Sequence, residues 1–493
     1  MIKILIGEQI RNADRITMER EPISSIDLME RASQNIAQWF MNHVDRETPL
    51  VFCIGKGNNG GDGLAVARLL HEAGYVCSVS LAFPPEEMSV ECRYNYDRLP
   101  REVIRFASGD IPEFPADSVI VDALLGTGVK GAVREPLRSL IARIRASGCR
   151  VISIDLPSGL PTEWGGEETS AVEAETTLAL EFPKLSLLLP ATGEFVGNLE
   201  LLPIGLDKRY MQACDSPYYL VTKEDIERLR VPRRRYAYKN QYGHLLLVCG
   251  SRRMMGAAVL AAGGALRSGC GLVTAHVPEQ ERVAIQLSCP SALSSLDPGV
   301  CFSTLPEELE NYSAIGIGSG LGRAPETVRA FGMLLQAACE QGKPMVLDAD
   351  ALNMLAADER LRACVPAGSL LTPHVGELRR CVGDWTDDRE KFGKTLKLAR
   401  ELRSVVLIKG AYTAICTPDG RVMFNPTGTP GMAKAGSGDV LTGLAAGLLA
   451  RGYDAVSAAL IAVWKHGEAG EKAAACYGVE SMNSSDLVRF LKL

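Results

Sequence analysis

The sequence lacks the features that mark several large classes of protein. No apolar run approaches the roughly 20 residues of a membrane-spanning helix, and the N-terminus turns polar too soon for a signal peptide. The 14 cysteines include no Cys-x-x-Cys pair and no zinc-ligand spacing. Because most of them have apolar neighbours, we interpret them as buried thiols in a reducing compartment. These absences predict a soluble, cytoplasmic protein.

An excess of positive charge is also missing. Lys and Arg together number 53 against 59 Asp and Glu, which gives a net charge of −6. A whole-chain surface for nucleic acid is therefore excluded, and we expect neither nucleic acid nor membrane as a partner. Anionic ligands must then be bound by local devices, such as helix N-termini and glycine-rich loops.

The chain of 493 residues is too long for one hydrophobic core, which stops growing near roughly 250–300 residues. Short apolar runs alternate with amphipathic stretches in both halves, which predicts two α/β domains with mostly parallel sheets. The strands predicted in the first half are 50–54, 76–82, 119–121 and 151–154. The strands predicted in the second half are 244–249, 272–276, 314–317, 345–347, 370–372 and 405–408.

A charged stretch separates the two series of strands. We place one domain at residues 1–215, a linker at 216–235 and a second domain at 236–493. The linker contains the run Pro-Arg-Arg-Arg at 232–235, which we interpret as a solvated segment because single charge clusters usually face water. Binding of an anionic partner by these arginines is the alternative.

The first glycine-rich motif, residues 55–63, follows a predicted strand and opens a helix. Its glycines allow positive φ angles and close approach of the backbone to a ligand, and the helix N-terminus suits a phosphate. The motif is neither a Walker loop nor the usual dinucleotide fingerprint. A glycine-rich turn without a ligand is the alternative, but Asn58, Asn59 and Asp62 within the turn favour binding of a sugar or transfer of protons.

Two further strand ends carry polar side chains. Asp122 precedes the glycine-rich loop 126–131, and Asp155 precedes Pro-Ser-Gly at 157–159. Ligands of open α/β sheets collect at the carboxyl ends of strands, so we expect these groups to meet in one crevice. Asn59, Asp122 and Ser158 offer the hard oxygen atoms that suit an alkali or hard divalent cation. Helix capping is the alternative role for each aspartate taken alone.

These motifs together resemble the N-terminal family of NAD(P)HX epimerases over residues 1–210. The resemblance implies a Rossmann-like three-layer α/β/α domain that exchanges the C6 epimers of hydrated nicotinamide nucleotides, with Asp155 as the candidate acid/base. It also implies that K⁺ (potassium) is bound by Asn59, Asp122 and Ser158. The substrate-binding residues that it implies are Asn58, Asn59, Gly60, Gly61, Asp62, Gly126, Thr127, Gly128, Val129, Lys130, Gly131, Ala132 and Asp155.

The second glycine-rich motif, residues 425–443, ends abruptly at an amphipathic helix that we predict to start near Asp439. Backbone N–H groups of residues 436–439 would form an anion hole for a phosphoryl group in transfer. Asp439 at the edge of this hole can take a proton from an attacking hydroxyl. The alternative is that Asp439 is simply a favourable residue for the N-terminus of a helix.

This Gly-x-Gly-Asp arrangement is similar to that of the ribokinase-like superfamily, and motifs at 256–258, 318–322, 347–353, 371–377 and 407–413 resemble the ADP-dependent NAD(P)HX dehydratases. The chain departs from that family pattern at Ser319 and Val375, where proline is usual. The resemblance implies a ribokinase-like α/β/α domain that uses ADP and Mg²⁺, with Asp439 as catalytic base. It implies substrate contacts at Ala257, Gly320, His374 and Asp439, and ADP contacts at Lys409, Gly410, Ala411, Tyr412, Thr413, Gly436, Ser437 and Gly438.

Two of these residues have ordinary alternatives. His374 could be a packed or solvated histidine without a ligand, although its position in a loop after a buried strand favours a ligand contact. Lys409 could be a surface lysine, although its position at the end of an apolar run and before Gly410 favours a phosphate contact.

The two resemblances predict a bifunctional enzyme that repairs hydrated NADH and NADPH (NADHX and NADPHX). It would epimerise the R and S forms and dehydrate the S form, with conversion of ADP to AMP and phosphate. The partners we expect are these small molecules and further copies of the chain in a homo-oligomer. Two alternatives remain: a small-molecule kinase of the ribokinase-like superfamily, and a non-catalytic binding role for the first half.

Overall fold

The computed structural model describes residues 1–106, 113–128, 131–165 and 170–493. The chain divides into two compact units, Ile2–Tyr218 and Tyr219–Leu493, and Met1 groups with the second. No helix within the described ranges has the length and apolar character needed to cross a membrane. Two predicted substrate-binding residues, Val129 and Lys130, lie outside the described residues.

Strands and helices alternate along the first unit. Its strands are β1 (Ile2–Lys3), β2 (Leu50–Ile54), β3 (Cys77–Leu81), β4 (Ile104–Phe106), β5 (Val119–Ala123), β6 (Arg150–Ile154), β7 (Thr176–Leu180) and β8 (Asn198–Leu202). Its helices are α1 (Glu8–Arg20), α2 (Ser25–His43), α3 (Asn58–Glu72), α4 (Val90–Arg98), α5 (Leu137–Arg145) and α6 (Lys208–Ala213).

The sheet of the first unit has the order β4-β3-β2-β5-β6-β7-β8, and every neighbouring pair is parallel. All residues of β2 and β5 are buried, as expected for central strands that are covered on both faces. The chain order reverses direction between β2 and β5, which opens a crevice at the carboxyl ends of these strands. The predicted Rossmann-like α/β class is confirmed.

The second unit repeats this alternation with different connections. After β9 (Tyr218–Leu220), which spans the boundary, its strands are β10 (His244–Val248), β11 (Leu272–Pro278), β12 (Leu293–Asp297), β13 (Ala314–Ile317), β14 (Met345–Leu347), β15 (Leu370–Leu371), β16 (Val405–Ile408), β17 (Ala414–Cys416) and β18 (Val422–Phe424). Its helices are α7 (Lys223–Leu229), α8 (Met255–Arg267), α9 (Arg282–Ser288), α10 (Pro325–Glu340), α11 (Ala349–Ala357), α12 (Glu359–Ala363), α13 (Val375–Val382), α14 (Asp388–Leu402), α15 (Ser437–Ala450), α16 (Ala455–Tyr477) and α17 (Ser484–Phe490).

The sheet of the second unit runs β18-β17-β16-β15-β14-β13-β10-β11-β12. Strands β10 to β16 pair in parallel, whereas β17 and β18 are added in antiparallel pairing that the sequence did not reveal, and β9 follows β18 in the sheet. The chain reverses direction between β10 and β13, so the carboxyl ends of β10, β13, β14 and β16 lie at one edge of the sheet. All the motifs singled out in this half follow strands or begin helices at that edge.

Glycines let helix α15 pack directly against helix α8. A Cβ atom on Gly443 would lie 1.8 Å from the carbonyl oxygen of Ala261, and one on Gly264 would lie 2.2 Å from the carbonyl oxygen of Val440. The two backbones therefore meet where any side chain would separate them. This contact fixes the position of α15, whose N-terminus carries the second glycine-rich motif.

We predicted a solvated linker at residues 216–235. The segment instead contains β9 and α7, and the residues after α7 are hydrogen-bonded to the rest of the second unit. The Val231 amide donates to the Tyr453 hydroxyl at 2.9 Å, and Nη2 of Arg233 donates to the carbonyl oxygen of Gly269 at 2.6 Å. The arginines are exposed, as predicted. The segment nevertheless has fixed structure, because its backbone and one guanidinium group are hydrogen-bonded to distant residues.

We expect Gly443→Ala to force α15 away from α8, because the added Cβ would fall within 1.8 Å of a backbone oxygen. Overpacking of this kind costs about 1–3 kcal/mol, which lowers a melting temperature by several degrees. Gly393→Ala in α14 is the matched control, since nothing lies within 4 Å of its Cβ position. Calorimetry of the full chain would measure the melting temperature of each variant. An unchanged melting temperature for Gly443→Ala would contradict this packing.

Candidate functional site

A cavity of about 540 Å³ opens in the first unit at the carboxyl ends of β2, β5 and β6. Seven predicted substrate-binding residues line it, namely Asn58, Asn59, Asp62, Gly126, Thr127, Gly128 and Asp155. Gly60 and Gly61 lie in the first turns of α3 and do not line the cavity, and neither do Gly131 and Ala132. The three strand ends therefore meet in one crevice, as the sequence predicted.

The glycines of residues 55–63 serve close packing, which corrects one part of the prediction. None of them has a positive φ angle. A Cβ on Gly60 would lie 2.1 Å from the Gly55 carbonyl oxygen, and one on Gly63 would lie 2.5 Å from the Cβ of Ala123. These glycines bring the first turn of α3 against β2 and β5, so that Asn58, Asn59 and Asp62 reach the crevice.

Hard oxygen atoms converge beneath this turn. The fully buried Asp122 carboxylate accepts hydrogen bonds from the Ser158 amide at 2.8 Å and the Ser158 hydroxyl at 2.5 Å. Asn59 Nδ2 donates to the carbonyl oxygen of Leu125 at 2.9 Å, whereas Asn59 Oδ1 is buried without a hydrogen-bond partner among the described residues. Burial raises the pKa of Asp122, and hydrogen bonds from Ser158 and Ser153 oppose that rise. An unpaired amide oxygen beside a carboxylate fits an alkali cation.

Asp155 lies in an ion pair that the sequence motifs did not include. Its carboxylate binds Nζ of Lys184, whose side chain is 3% exposed, and accepts a hydrogen bond from the Leu180 amide at 3.3 Å. The backbone of Asp155 has a φ angle of 66°, which is uncommon outside glycine. The position of Lys184 shortly after buried strand β7 was the available signal, since polar groups at strand ends collect at such sites.

Two more carboxyl groups line the same cavity. Burial raises the pKa of Asp62 well above its usual range, and the charges of Asp155 and Asp14 raise it further. Withdrawal from water by the cavity walls raises the pKa of Asp14 to about 6, helped by the charge of Asp155 and opposed by that of Lys184. Asp14 comes from α1, where no motif marked it.

The second site is built on the N-terminus of α15. This helix begins at Ser437, two residues before the predicted start, and Gly436 caps it with a φ angle of 92°. A Cβ at Gly436 would also lie 2.5 Å from Cδ1 of Leu260, so both the backbone conformation and the space require glycine. The Ser437 amide donates to the carbonyl oxygen of Lys434 at 3.4 Å, whereas the Gly438 and Asp439 amides have no carbonyl partners within the helix.

Lys409 faces this helix turn through an ion pair with Asp348. Its Nζ lies 2.8 Å from Asp348 Oδ1, and Thr442 Oγ1 donates to Asp348 Oδ2 at 2.9 Å. A Cβ on Gly438 would lie only 3.4 Å from Nζ of Lys409. The structure therefore brings Lys409 and Gly438 together. Asp348 holds the lysine, and Thr442 holds Asp348.

Asp439 is half-buried at the start of α15. Burial raises its pKa to about 6, and the nearby Asp348 charge raises it further, whereas the Ser319 hydroxyl and Lys409 oppose this shift. A carboxylate with a pKa near 6 is ionised at neutral pH and is a much better proton acceptor than an ordinary aspartate. This environment favours the catalytic reading of Asp439 over simple helix capping.

The remaining predicted residues lie around this edge. Gly320 and Ala257 are in contact, since a Cβ on Gly320 would fall 2.9 Å from that of Ala257. His374 caps α13: its Nδ1 accepts from the Gly376 amide at 3.0 Å, and its side chain is 56% exposed. His374 therefore caps a helix while much of its side chain faces solvent, which agrees with the solvated histidine named as the alternative above.

The turn 410–413 joins β16 to β17 next to Lys409. Tyr412 has a φ angle of 50°, and the Thr413 hydroxyl donates to the Gly410 carbonyl oxygen at 3.0 Å. Gly410 and Ala411 are exposed, so their backbone is open to a ligand.

His466 on α16 is a further group that sequence reasoning missed. Burial lowers its pKa to about 4, and its Nε2 lies 3.5 Å from the Ser437 hydroxyl. The ring is therefore neutral at pH 7 and can fix the Ser437 hydroxyl but adds no positive charge. A histidine inside an apolar helix carries no motif that could have revealed this contact.

Comparison with known families gives two matches that together span most of the chain. The family model described as NAD(P)H-hydrate dehydratase matches residues 245–493. The family model described as YjeF-related protein N-terminus matches residues 25–186. A ribokinase-like superfamily protein from Enterococcus faecalis superposes with a TM-score of 0.50 at 23% identity, covering 56% of this chain and 95% of that structure. The predicted ribokinase-like fold of the second unit is therefore confirmed.

Similar full-length proteins carry both units in one chain. A bifunctional NAD(P)H-hydrate repair enzyme of Moorella thermoacetica is 36% identical over 99% of this chain and 96% of its own length. A protein of the same description from Coxiella burnetii is 32% identical over 99% of this chain and 98% of its own. The chain therefore belongs to the family of bifunctional NAD(P)H-hydrate repair enzymes.

Proposed function

We propose that the second unit dehydrates the S form of hydrated NADH or NADPH with consumption of ADP, and that the first unit interconverts the R and S forms. The observation that carries the proposal is the position of Asp439, which lies at an open helix N-terminus beside Lys409 and has a raised pKa. A base, a cation and the amides of a helix N-terminus thus meet at one point, as phosphoryl transfer to a hydroxyl requires.

In the dehydration, Asp439 accepts the proton of the C6 hydroxyl as the hydroxyl oxygen attacks the β-phosphorus of ADP. The bond between that phosphorus and the bridging oxygen breaks, which releases AMP. Amides of residues 436–439 and the Lys409 ammonium stabilise the charge on the phosphoryl oxygens. Asp348 and Thr442 position Lys409 for this role.

Phosphorylation turns the C6 hydroxyl into a good leaving group, which hydroxide is not near neutral pH. The lone pair of the ring nitrogen then expels phosphate, and loss of a C5 proton restores the C5–C6 double bond. The products are NADH or NADPH, AMP and phosphate. The phosphoryl group is therefore not retained, which separates this reaction from that of a small-molecule kinase.

The donors near Asp439 fit a magnesium ion that arrives with the nucleotide. Mg²⁺ bound to nucleotides usually takes phosphate oxygens, water and one or two carboxylates, and Asp348, whose charge acts on Asp439, is the carboxylate that would serve here. When bound, the ion neutralises phosphate charge. Asp348 is already engaged by Lys409 and Thr442, so most of the ligands would be phosphate and water.

The first unit would use its crevice to bind the hydrated ring, with Asp155 as proton carrier. Asn59, Asp122 and Ser158 would hold K⁺. In support, Asn59 and Ser158 both bond to the backbone of Leu125, Ser158 bonds to Asp122, and Asn59 Oδ1 is otherwise unpaired among the described residues. When bound, the ion supplies a fixed positive charge beside Asp122. Epimerisation makes both forms available to a dehydratase that accepts one form, which accounts for two unlike units in one chain.

Asp439→Asn should lower the turnover of S-NADHX with ADP by about 10²–10⁴-fold, because general-base catalysis contributes that much. Binding of ADP should persist, since the lysine and the amides remain. Asp384→Asn is the matched control, because Asp384 is 90% exposed in the same unit. The assay follows recovery of reduced-nicotinamide absorbance together with AMP. Wild-type turnover in the first variant would reject the assigned base, and a stable phosphorylated product would instead indicate a kinase.

The pH dependence of dehydration should follow Asp439. The ionised form is the active one, so the rate at saturating substrate should fall about tenfold per pH unit below a pKa of about 6. An unperturbed aspartate would sustain the rate to about pH 4. Initial rates between pH 5 and 8 in buffers of constant ionic strength test this, and a flat profile down to pH 5 would contradict the assignment.

Replacing K⁺ by the larger tetramethylammonium ion at equal ionic strength should lower the epimerisation rate and leave the dehydration of pure S-NADHX unchanged. Asn59→Ala should abolish the response to K⁺, because it removes the unpaired oxygen. Asn42→Ala on α2, an exposed amide, serves as its control. Chromatographic separation of the epimers measures the exchange. An epimerisation rate insensitive to the cation would eliminate the potassium site.

A further inference from the structure

Four charged groups that act on one another, three carboxyl groups and one ammonium group, lie on the wall of the cavity in the first unit, which Glu91, Lys56 and Arg11 also line. Asp14 comes from α1, Asp62 from α3 and Asp155 from the end of β6, and Lys184 follows β7. These four elements are far apart in the chain, so only the fold brings the groups together. The motifs of the first unit account for Asp62 and Asp155, but they give Asp14 no role.

The charges of this cluster do not balance when every carboxyl group is ionised. Lys184 is buried and paired with Asp155, so it neutralises one of the three negative charges. The pKa values of Asp14 and Asp62 are both raised, by withdrawal from water first and by the neighbouring carboxylates second. Asp14 and Asp62 therefore hold a proton more readily than an ordinary aspartate does, in the same cavity as a lysine-bound carboxylate.

Inversion at C6 requires this combination. The C6–O bond must break and form again on the opposite face of the ring, so one group protonates the departing hydroxyl and another takes a proton from the incoming water. Two carboxyl groups with different protonation states supply both functions, as they do in enzymes that replace a substituent at an acetal-like carbon. C6 carries both nitrogen and oxygen, which makes it a centre of this kind.

We propose, on the basis of the epimerase function proposed above, that Asp14 and Asp155 form the acid–base pair of the epimerase and that Lys184 positions Asp155. Asp14 protonates the C6 hydroxyl, which leaves as water with the C–O electron pair while the ring nitrogen lone pair forms a C6=N bond. Water then adds to the other face, its oxygen bonds to C6, Asp155 takes its proton, and the nitrogen recovers its electron pair. In the reverse direction the two carboxyl groups exchange roles.

Asp14 suits this role better than the other carboxyl groups of the wall. Asp14 lines the cavity and keeps part of its surface open to solvent, so a substrate in the cavity can reach it. Asp62 lines the same cavity but is only 9% exposed in the first turns of α3, so it is less accessible to a substrate. Glu91 accepts a hydrogen bond from the Ser25 hydroxyl at 2.9 Å, which ties it to the entrance of α2.

The test compares Asp14→Asn, Asp14→Glu and Glu19→Gln in the full chain, without ADP, so that only epimer exchange is observed. Glu19 lies on the same helix, is 55% exposed and pairs with the exposed Arg15. We expect Asp14→Asn to lower the kcat of epimerisation about 100-fold or more, with KM changed less than about threefold. Asp14→Glu should recover part of the rate, because it keeps the carboxyl group, and Glu19→Gln should match the wild type.

Oxygen exchange tests the bond that breaks. In water enriched in oxygen-18, each wild-type epimerisation should place one labelled oxygen at C6, which mass spectrometry detects. Epimer exchange without label would overturn the proposed C–O cleavage, and a kcat for Asp14→Asn within about threefold of wild type would overturn the role of Asp14. Failure of the wild-type chain itself to exchange the epimers would instead reject the epimerase function. Thermal unfolding of the same preparations, compared with the wild type, verifies that the first unit of each variant is folded.

Discussion

The interaction on which both sites depend is a lysine bound by one aspartate while a second carboxyl group lies nearby. In the first unit this lysine is Lys184 and the nearby carboxyl group is Asp14; in the second unit they are Lys409 and Asp439. The walls of each site withdraw the carboxyl group from water, and its neighbours add negative charge. Each of these two aspartates thereby acquires a pKa of about 6. A group of this kind can give and take protons near neutral pH, which an ordinary surface aspartate does poorly.

The parallel sheets of the two units make this interaction possible, although their strands are connected in different orders. Each sheet reverses its strand order once. The charged side chains of each site follow strands whose carboxyl ends meet near that reversal. Helix N-termini open onto the same edge. Glycines then determine how closely these helices approach: Gly63 brings α3 against β5, and Gly443 brings α15 against α8. A single methyl group at either position would move the first turn of the helix, and with it Asp62 or Asp439, by a distance that proton transfer does not tolerate.

Sequence reasoning was most successful where structure is local. Buried strands of continuous apolar residues were placed to within a few residues, and the helix N-termini after the two glycine-rich motifs were recognised because turn chemistry is written in adjacent residues. It was less successful at the antiparallel strands β17 and β18, which are only three residues each. It also assigned positive φ angles to glycines near Asn59 whose actual role is to allow close packing. Glycine composition alone does not distinguish those two uses.

The sequence by itself determined that the chain forms two α/β units, that polar motifs follow their strands, and that Asp155 and Asp439 belong to such motifs. These features depend on hydrophobic periodicity and on the conformational preferences of neighbouring residues. Only the tertiary structure decided that Lys184 binds Asp155, that Asp14 faces the same cavity, and which carboxyl groups hold their protons near neutral pH. The physical reason is that a pKa depends on the water and charge surrounding a group, and the fold assembles those surroundings from residues that lie far apart in the chain.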